Sequence, residues 1–296
     1  MYHGKHARHR HLRQALRILA VLLVVACLIY PFWEPYRLHV HRVDMESANL
    51  SRDVGQLRIV YLSDIHEDSF PYFTQSRTEA LISRVNSLHA DLVLLGGDYT
   101  NGTDGATDFF NRIRYGKHFQ SVYGCFGVLG EHDRDLDDES TTALRAAMVA
   151  AGITPLINDS YQLRIGSSTV SIAGVDDVNS GWPDLKSTAA KIHADDFAIV
   201  MCHNPQIIPD LSQSTDADGR RNWYDLGLFG HTHGGQLPFL GGLLHLTDDI
   251  RPEYHSGIRI ENRAPMIVSN GIGTVGIPAR LFRMPEILLI TVRATR

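Results

Sequence analysis

Leu57-Arg58-Ile59-Val60-Tyr61-Leu62-Ser63-Asp64-Ile65-His66 is the stretch that decides how this chain folds. An apolar run of strand character ends in an Asp and a His two positions apart. Side chains at i and i+2 of an extended chain share a face, so carboxylate and imidazole can reach one ion. The same event recurs along the chain. Leu92-Val93-Leu94-Leu95 ends in Gly96-Gly97-Asp98, and a strand over 122–129 ends in Gly130-Glu131-His132-Asp133. Phe197-Ala198-Ile199-Val200-Met201 ends in Cys202-His203-Asn204, and Leu226-Gly227-Leu228-Phe229 ends in Gly230-His231-Thr232-His233. A continuous apolar run marks a strand buried on both faces.

Helical spacing separates these strands. Ala80, Leu81, Val85 and Leu88 predict a helix over 74–89, and residues 138–151 predict another, closed by Gly152. Further helices are expected near 184–193 and 205–213. Alternating runs at 161–165 and 168–175 flank Gly166-Ser167 and predict a hairpin. Strands are expected near 256–261, 266–269 and 286–292, and 214–222 reads as a polar surface loop. Strand–helix alternation followed by mixed strands implies an α/β sandwich of two packed sheets with helices outside.

Each motif alone has an ordinary explanation. Asp64 and Asp98 fit turn positions, His66 a surface site, and His203 a hydrogen-bonded core. His231 and His233, flanked by glycines that permit close backbone approach, are the most specific pair. Jointly they are harder to dismiss, because ligands of open α/β sheets gather beyond the carboxyl ends of strands. A His/carboxylate set without Cys suits Mn, Fe or Zn. The set is too large for one four-coordinate zinc, so two ions sharing a carboxylate is the natural solution.

The ordered motifs resemble the calcineurin-like metallophosphoesterase superfamily, whose pattern is D-x-H, G-D, G-N-H-D/E, H and G-H-x-H, over about residues 57–292. Gly-His-Thr-His-Gly-Gly-Gln at 230–236, and Gly271-Ile272-Gly273 through Pro285-Glu286, resemble a bacterial branch of membrane-associated or exported phosphoesterases. Some relatives in that branch cleave the pyrophosphate of a UDP-linked acylated sugar. The resemblance implies a four-layer αββα sandwich of two mixed sheets and hydrolysis of a phosphodiester or pyrophosphate. It implies that Asp64, His66 and His233 hold a first metal and that Asp98 bridges. His203, His231 and the residue at 131 hold the second. His132 then faces substrate as the catalytic partner of Asp98, and the nucleophile is a water or hydroxide shared by the ions.

Where the family has Asn, this chain has Glu131. A neutral carbonyl is replaced by a longer anion. Glu131 either ligates the second ion, swings away, or marks a degraded site. Ligation is the preferred reading, because every other motif residue is intact. An added anion disfavours a dianionic monoester and favours a diester or pyrophosphate. The alternative from another class is a catalytically inactive calcineurin-like scaffold at the membrane. A mononuclear zinc esterase leaves too many ligand-type residues unexplained.

Around the site, Asp133 is a candidate to orient His132. Asp176 and Asp177 end a strand near the expected pocket, and Asn204 is a candidate helix cap. Arg134 is the candidate substrate-binding cation, with Arg280 and Arg283 as further phosphate candidates. The apolar stretch 237–244 is a candidate wall for a lipid tail.

The N-terminus sets the location. Residues 16–33, LRILAVLLVVACLIYPFW, are apolar apart from Arg17 and fit a short membrane helix. Lys5, Arg8, Arg10, Arg13 and Arg17 precede it, while only Arg37 and Arg42 follow closely. The positive-inside rule then makes 1–15 a basic cytoplasmic tail and puts the main domain outside the cytoplasm. A cleaved signal peptide lacks its small-x-small site. The apolar run continues past Cys27, against a lipoprotein box. Residues 34–56 read as a linker and 57–296 as the catalytic domain. The expected partners are a phosphoester substrate, lipid-linked in one reading, and the membrane. A net charge of −5 over 296 residues gives no support to nucleic-acid binding. Three Cys make no disulfide framework. Of the sixteen His, His3, His6, His9 and His11 belong to the basic tail.

Overall fold

The computed structural model describes residues 3–69, 71, 73–134, 138–238 and 246–295. Most of the apolar stretch 237–244 lies outside the described residues.

Among the described residues, twelve strands form two six-stranded mixed sheets. In the first, β1 (His39–Ser47), β12 (Glu286–Ala294), β2 (Gln56–Leu62), β3 (Leu92–Leu95), β4 (Cys125–Gly127) and β5 (Ile153–Pro155) are neighbours in that order. The run β2–β5 is parallel, and β12 is antiparallel to β2 but parallel to β1. The second sheet runs β10 (Gly257–Glu261), β11 (Ala264–Val268), β9 (Leu226–Phe229), β8 (Phe197–Met201), β7 (Ser168–Gly174), β6 (Asp159–Ile165). Here β11, β9, β8 and β7 are parallel, and hairpins close both edges.

The pleat sorts the apolar side chains into layers. Leu57, Ile59 and Tyr61 of β2 face Ile199 and Met201 of β8 in the core between the sheets. Val60 and Leu62 point the other way, onto α2 (Gln75–Asn86), with α3 (Thr103–Tyr115) and α4 (Asp138–Ala150) completing that layer. On the far side, Ala198 and Val200 meet α5 (Leu185–Ala189), α6 (Ile208–Leu211), Trp223 and Tyr254. The architecture is the expected αββα sandwich, with a thin second outer layer. The helices expected at 184–193 and 205–213 shrink to α5 and to a 3-10 turn followed by α6.

One expectation is corrected. Residues 34–56 are not merely a linker, because β1 pairs with β12 over its whole length. Before it, α1 (His3–Trp33) and the 3-10 turn that follows carry a segment, Arg13–Tyr36, long and apolar enough to cross a membrane.

The consequence for the site is simple. Strands β2, β3 and β4 are mutually parallel, as are β8 and β9. All five motifs leave carboxyl ends, and the packed sheets bring those ends together.

Candidate metal centre

Past the strand ends the backbone turns sharply. Asp64, His66, Asp98, His231 and His233 all have left-handed backbones, with φ of 54°, 43°, 55°, 68° and 48°. Non-glycine residues in this region carry a conformational cost that surrounding structure must sustain. Hydrogen bonds supply that support. Asp64 N–H donates to Gly97 O, His66 N–H to Asp98 O, and Gly230 N–H to His203 O. Gly97, at φ 91°, passes so close to Gly130 that a Cβ would lie 2.5 Å from its nitrogen. That approach brings the Asp98 loop against the Glu131 loop.

The side chains read as ligands converge. Asp64, His66 and His233 each offer an atom within 4.8 Å of the others, as do Asp64, Asp98 and His203, and Asp98, Glu131 and His132. Asp98 Oδ2 lies 3.1 Å from His203 Nε2 and 3.6 Å from His66 Nε2. Asp64 Oδ1 lies 3.5 Å from His233 Nε2. His231 Nδ1 is 3.3 Å from Glu131 Oε2.

Whether these residues fit metal ions is decided by their unsatisfied atoms. Asp64 Oδ2, His66 Nε2, His203 Nε2, His231 Nδ1 and His233 Nε2 are buried without a hydrogen-bonding partner. Buried polar atoms are rarely left so. Here they come from different strand ends and belong to the motif residues. The Nδ1 atoms of His66 and His203 face acceptors, which fixes those two imidazoles as metal ligands usually are. His66 Nδ1 is 2.9 Å from Asn101 Oδ1, and His203 Nδ1 is 2.8 Å from Gly96 O. His233 Nδ1 meets Arg280.

The charges are strongly coupled. Burial holds His66 below the ordinary imidazole value, and burial with neighbouring His66 and Arg280 holds His233 well below it. Burial works against a charged His203 too, yet the carboxylates of Asp98 and Asp64 raise it well above. Despite its own burial, Asp98 is held far below the usual carboxylate range by His203 and His66. Burial likewise opposes ionisation of Glu131, but contact with His231 holds it down at about 2.

Other candidates are placed differently. Asp133 does not reach the His132 ring. It is buried and accepts the backbone N–H groups of Asp98, Tyr99 and Gly130, pinning two site loops together. Burial beside Asp98 pushes it up to about 8, against those N–H bonds. Arg134 pairs with Asp176 at 2.9 Å and lies over the Trp182 ring. Arg280 is fully buried and bonds to Asn270 O, Gly273 O and Arg283 O, so it is no phosphate-binding cation. Arg283 bonds to Gly234 O and Phe282 O. Asp177 caps the turn at Asn179 and Ser180, and Asn204 accepts Gln206 N–H as a cap. Asn101, Asn179 and Arg280 support ligands but carry no local sequence signal, since each acts through the fold. Beside the cluster is a pocket of about 370 Å³, whose walls include Glu131, His132, His231, Asp248 and Asp249 and no Lys or Arg.

Residues 57–235 match the family described as calcineurin-like phosphoesterase. The chain belongs to that family. It is similar to the uncharacterized metallophosphoesterase YkuE of Bacillus subtilis, 27% identical over 89% of this chain and 88% of the relative. It is also similar to the phosphodiesterase YaeI of Escherichia coli, 26% identical over 88% of each chain. Among solved structures, the phosphopantetheinyl hydrolase PptH of Mycobacterium tuberculosis aligns with a TM-score of 0.42 at 10% identity, covering 73% of this chain and 90% of that one. As a calcineurin-like phosphoesterase, the protein is a metal-dependent phosphoester hydrolase.

Proposed function

We propose a membrane-held phosphodiesterase with two divalent ions, Mn, Fe or Zn, acting on a phosphodiester or pyrophosphate of a lipid or envelope substrate. The carrying observation is the convergence of unsatisfied ligand atoms from three strand ends, with Asp98 and Glu131 from two more beside them. Asp64, His66 and His233 would hold the first ion, His203, His231 and Glu131 the second, and Asp98 would be a ligand within reach of both. When bound, two ions activate water as nucleophile and stabilise the leaving oxygen. The chain's own residues position the reaction. His132 stands at the pocket wall with its backbone N–H on Asp98 Oδ1 at 3.0 Å. Its ring meets a phosphoryl oxygen or gives a proton to the leaving group. Arg134 is engaged by Asp176 and lies over Trp182, away from the residues that line the described pocket.

The acidic pocket supports a diester over a monoester. Glu131, Asp248 and Asp249 line it with no Lys or Arg among the described lining residues, so a singly charged phosphate meets less repulsion than a dianion. The apolar α1 and the exposed Trp33 and Phe282 beside its end support a membrane-proximal substrate. The Lys/Arg asymmetry places the domain outside the cytoplasm, which disfavours a UDP-linked substrate. A C-terminal reporter fusion reads that topology.

The test of function is hydrolysis of bis-p-nitrophenyl phosphate and p-nitrophenyl phosphate by the full chain in detergent with Mn²⁺. Diester turnover above monoester turnover, lost by about 100-fold or more in Asp98→Ala, is expected. No turnover with Mn, Fe or Zn, and an Asp98→Ala variant unchanged in every property, would identify an inactive scaffold instead.

A further inference from the structure

His39 and His41 lie two apart on β1 and so share a face. His39 is directly opposite Glu286 in the β1–β12 register. Glu286 Oε2 is 3.8 Å from His39 Nε2 and 3.0 Å from His41 Nδ1, and the three ligand atoms lie within 4.8 Å of one another. None of these residues belongs to the strand-end motifs.

We propose that His39, His41 and Glu286 form a separate binding site for a divalent ion of the zinc class. A tetrahedral ion with ligands at 2.0–2.2 Å puts its ligand atoms about 3.4 Å apart. The measured separations of 3.0 and 3.8 Å bracket that value. Two imidazoles and one carboxylate, with a position left for water, is a set zinc accepts, whereas Mg and Ca prefer oxygen alone. The supporting bonds match. His39 Nδ1 is 2.8 Å from Pro285 O. A carbonyl only accepts, so Nδ1 carries the proton and Nε2 presents its lone pair. Glu286 is buried, and its Oε1 accepts Asn270 N–H at 2.8 Å, which fixes Oε2 toward the imidazoles. A His41–Glu286 ion pair would account for His41 alone. It leaves unexplained why His39 Nε2 is aimed at the same oxygen. Binding here would clamp the first strand after α1 to the start of β12, which also bonds Gly271 beside Asp64.

The experiment counts zinc bound by the full chain in detergent, after equilibration with chelator-buffered Zn²⁺, by mass spectrometry. His39→Ala/His41→Ala is expected to bind one equivalent less than the unmodified protein. The tail histidines are present in both and cancel. A second background, Asp64→Asn/Asp98→Asn/His203→Gln, is expected to retain one equivalent that His39→Ala/His41→Ala then removes. Glu286→Gln in either background is expected to weaken the same equivalent by at least about tenfold. Equal zinc content with and without His39 and His41 overturns the proposal. Failure of the two-ion reading appears separately, as a count that the strand-end substitutions do not lower.

Discussion

Arg280 places its guanidinium 3.1 Å from Nδ1 of His233, in full burial. A guanidinium only donates, so Nδ1 is the acceptor and the ring proton sits on Nε2, facing Asp64, where an ion would have to displace it. The remaining N–H groups bond to Asn270 O, Gly273 O and Arg283 O, while Arg280 backbone N–H donates to Pro31 O at the end of α1. Burial lowers Arg280 to about 10, so it remains a cation at neutral pH. One buried charge therefore joins the apolar helix to a candidate metal ligand.

Arg280→Ala removes the donor from three carbonyls at once. A loss of about 3 kcal/mol is expected, seen as a fall in thermal midpoint of about 6–12 °C for a domain this size. Arg280→Lys keeps the charge without the fork. It is expected to cost less stability and, with the Nδ1 contact loosened so that Nδ1 can take the ring proton, to strengthen metal binding at Nε2 in a chelator competition. Unchanged affinity in the Lys variant would show that His233 does not depend on this contact.

The end of α1 is held by a second buried group. Glu34 accepts the backbone N–H groups of Phe282 and Arg283. Glu34→Ala leaves both part-buried donors without this acceptor and is expected to cost about 1–3 kcal/mol. Glu34→Gln retains an acceptor oxygen and is expected to lose less. Proteolysis with mass mapping checks the location, with new cleavage expected between 279 and 284 in the Ala variant.

The His203–Asp98 pair makes metal binding pH-dependent. The raised value of His203 contributes stability that is full below 6.5 and lost as pH rises through its folded value. The lowered value of Asp98 contributes stability present above 3.8 and lost as pH falls through its folded value. The pair is thus charged across neutral pH before metal binds. An ion at His203 Nε2 must displace that proton, so affinity is expected to rise with pH, by up to about tenfold per unit. Calorimetry in buffers of different ionisation enthalpy checks this. A binding heat independent of buffer would mean that no proton leaves.

Much of this was legible in the sequence because the parallel strands are buried on both faces. Leu92–Leu95 and Phe197–Met201 are unbroken apolar runs, so their ends, and the ligands after them, stand out. β1 escaped notice because it is an edge strand of alternating charge and half-burial, His39–Ser47, whose place is set only by β12 far along the chain. α3 was missed although Ala106, Phe109, Phe110 and Ile113 are buried on one face, because Thr, Asp and Gly crowd its first turn. Asp133 is adjacent to His132 in sequence, yet it is buried on backbone donors, two of them from a loop about 35 residues away in the chain. Arg280 reaches His233 across a fold, not along a segment, and no local pattern records that.

Glu131 carries the last prediction. Its Oε2 is 2.6 Å from Asn179 Nδ2 and 3.3 Å from His231 Nδ1, and its Oε1 is 3.8 Å from His132 Nε2. The carboxylate is turned into the cluster and stays anionic, so the swung-away reading loses support. Asn179 is itself set by Asp177, which accepts its backbone N–H. If Glu131 ligates the second ion, Glu131→Ala should weaken that ion about 10–100-fold while sparing the first. Glu131→Asn should keep both ions, bind the second less tightly for want of a charge, and gain monoester turnover relative to diester. Metal counts and paired assays on the two nitrophenyl phosphates separate the readings. One ion in the unmodified protein and two in Glu131→Asn would mean that the carboxylate blocks the second position.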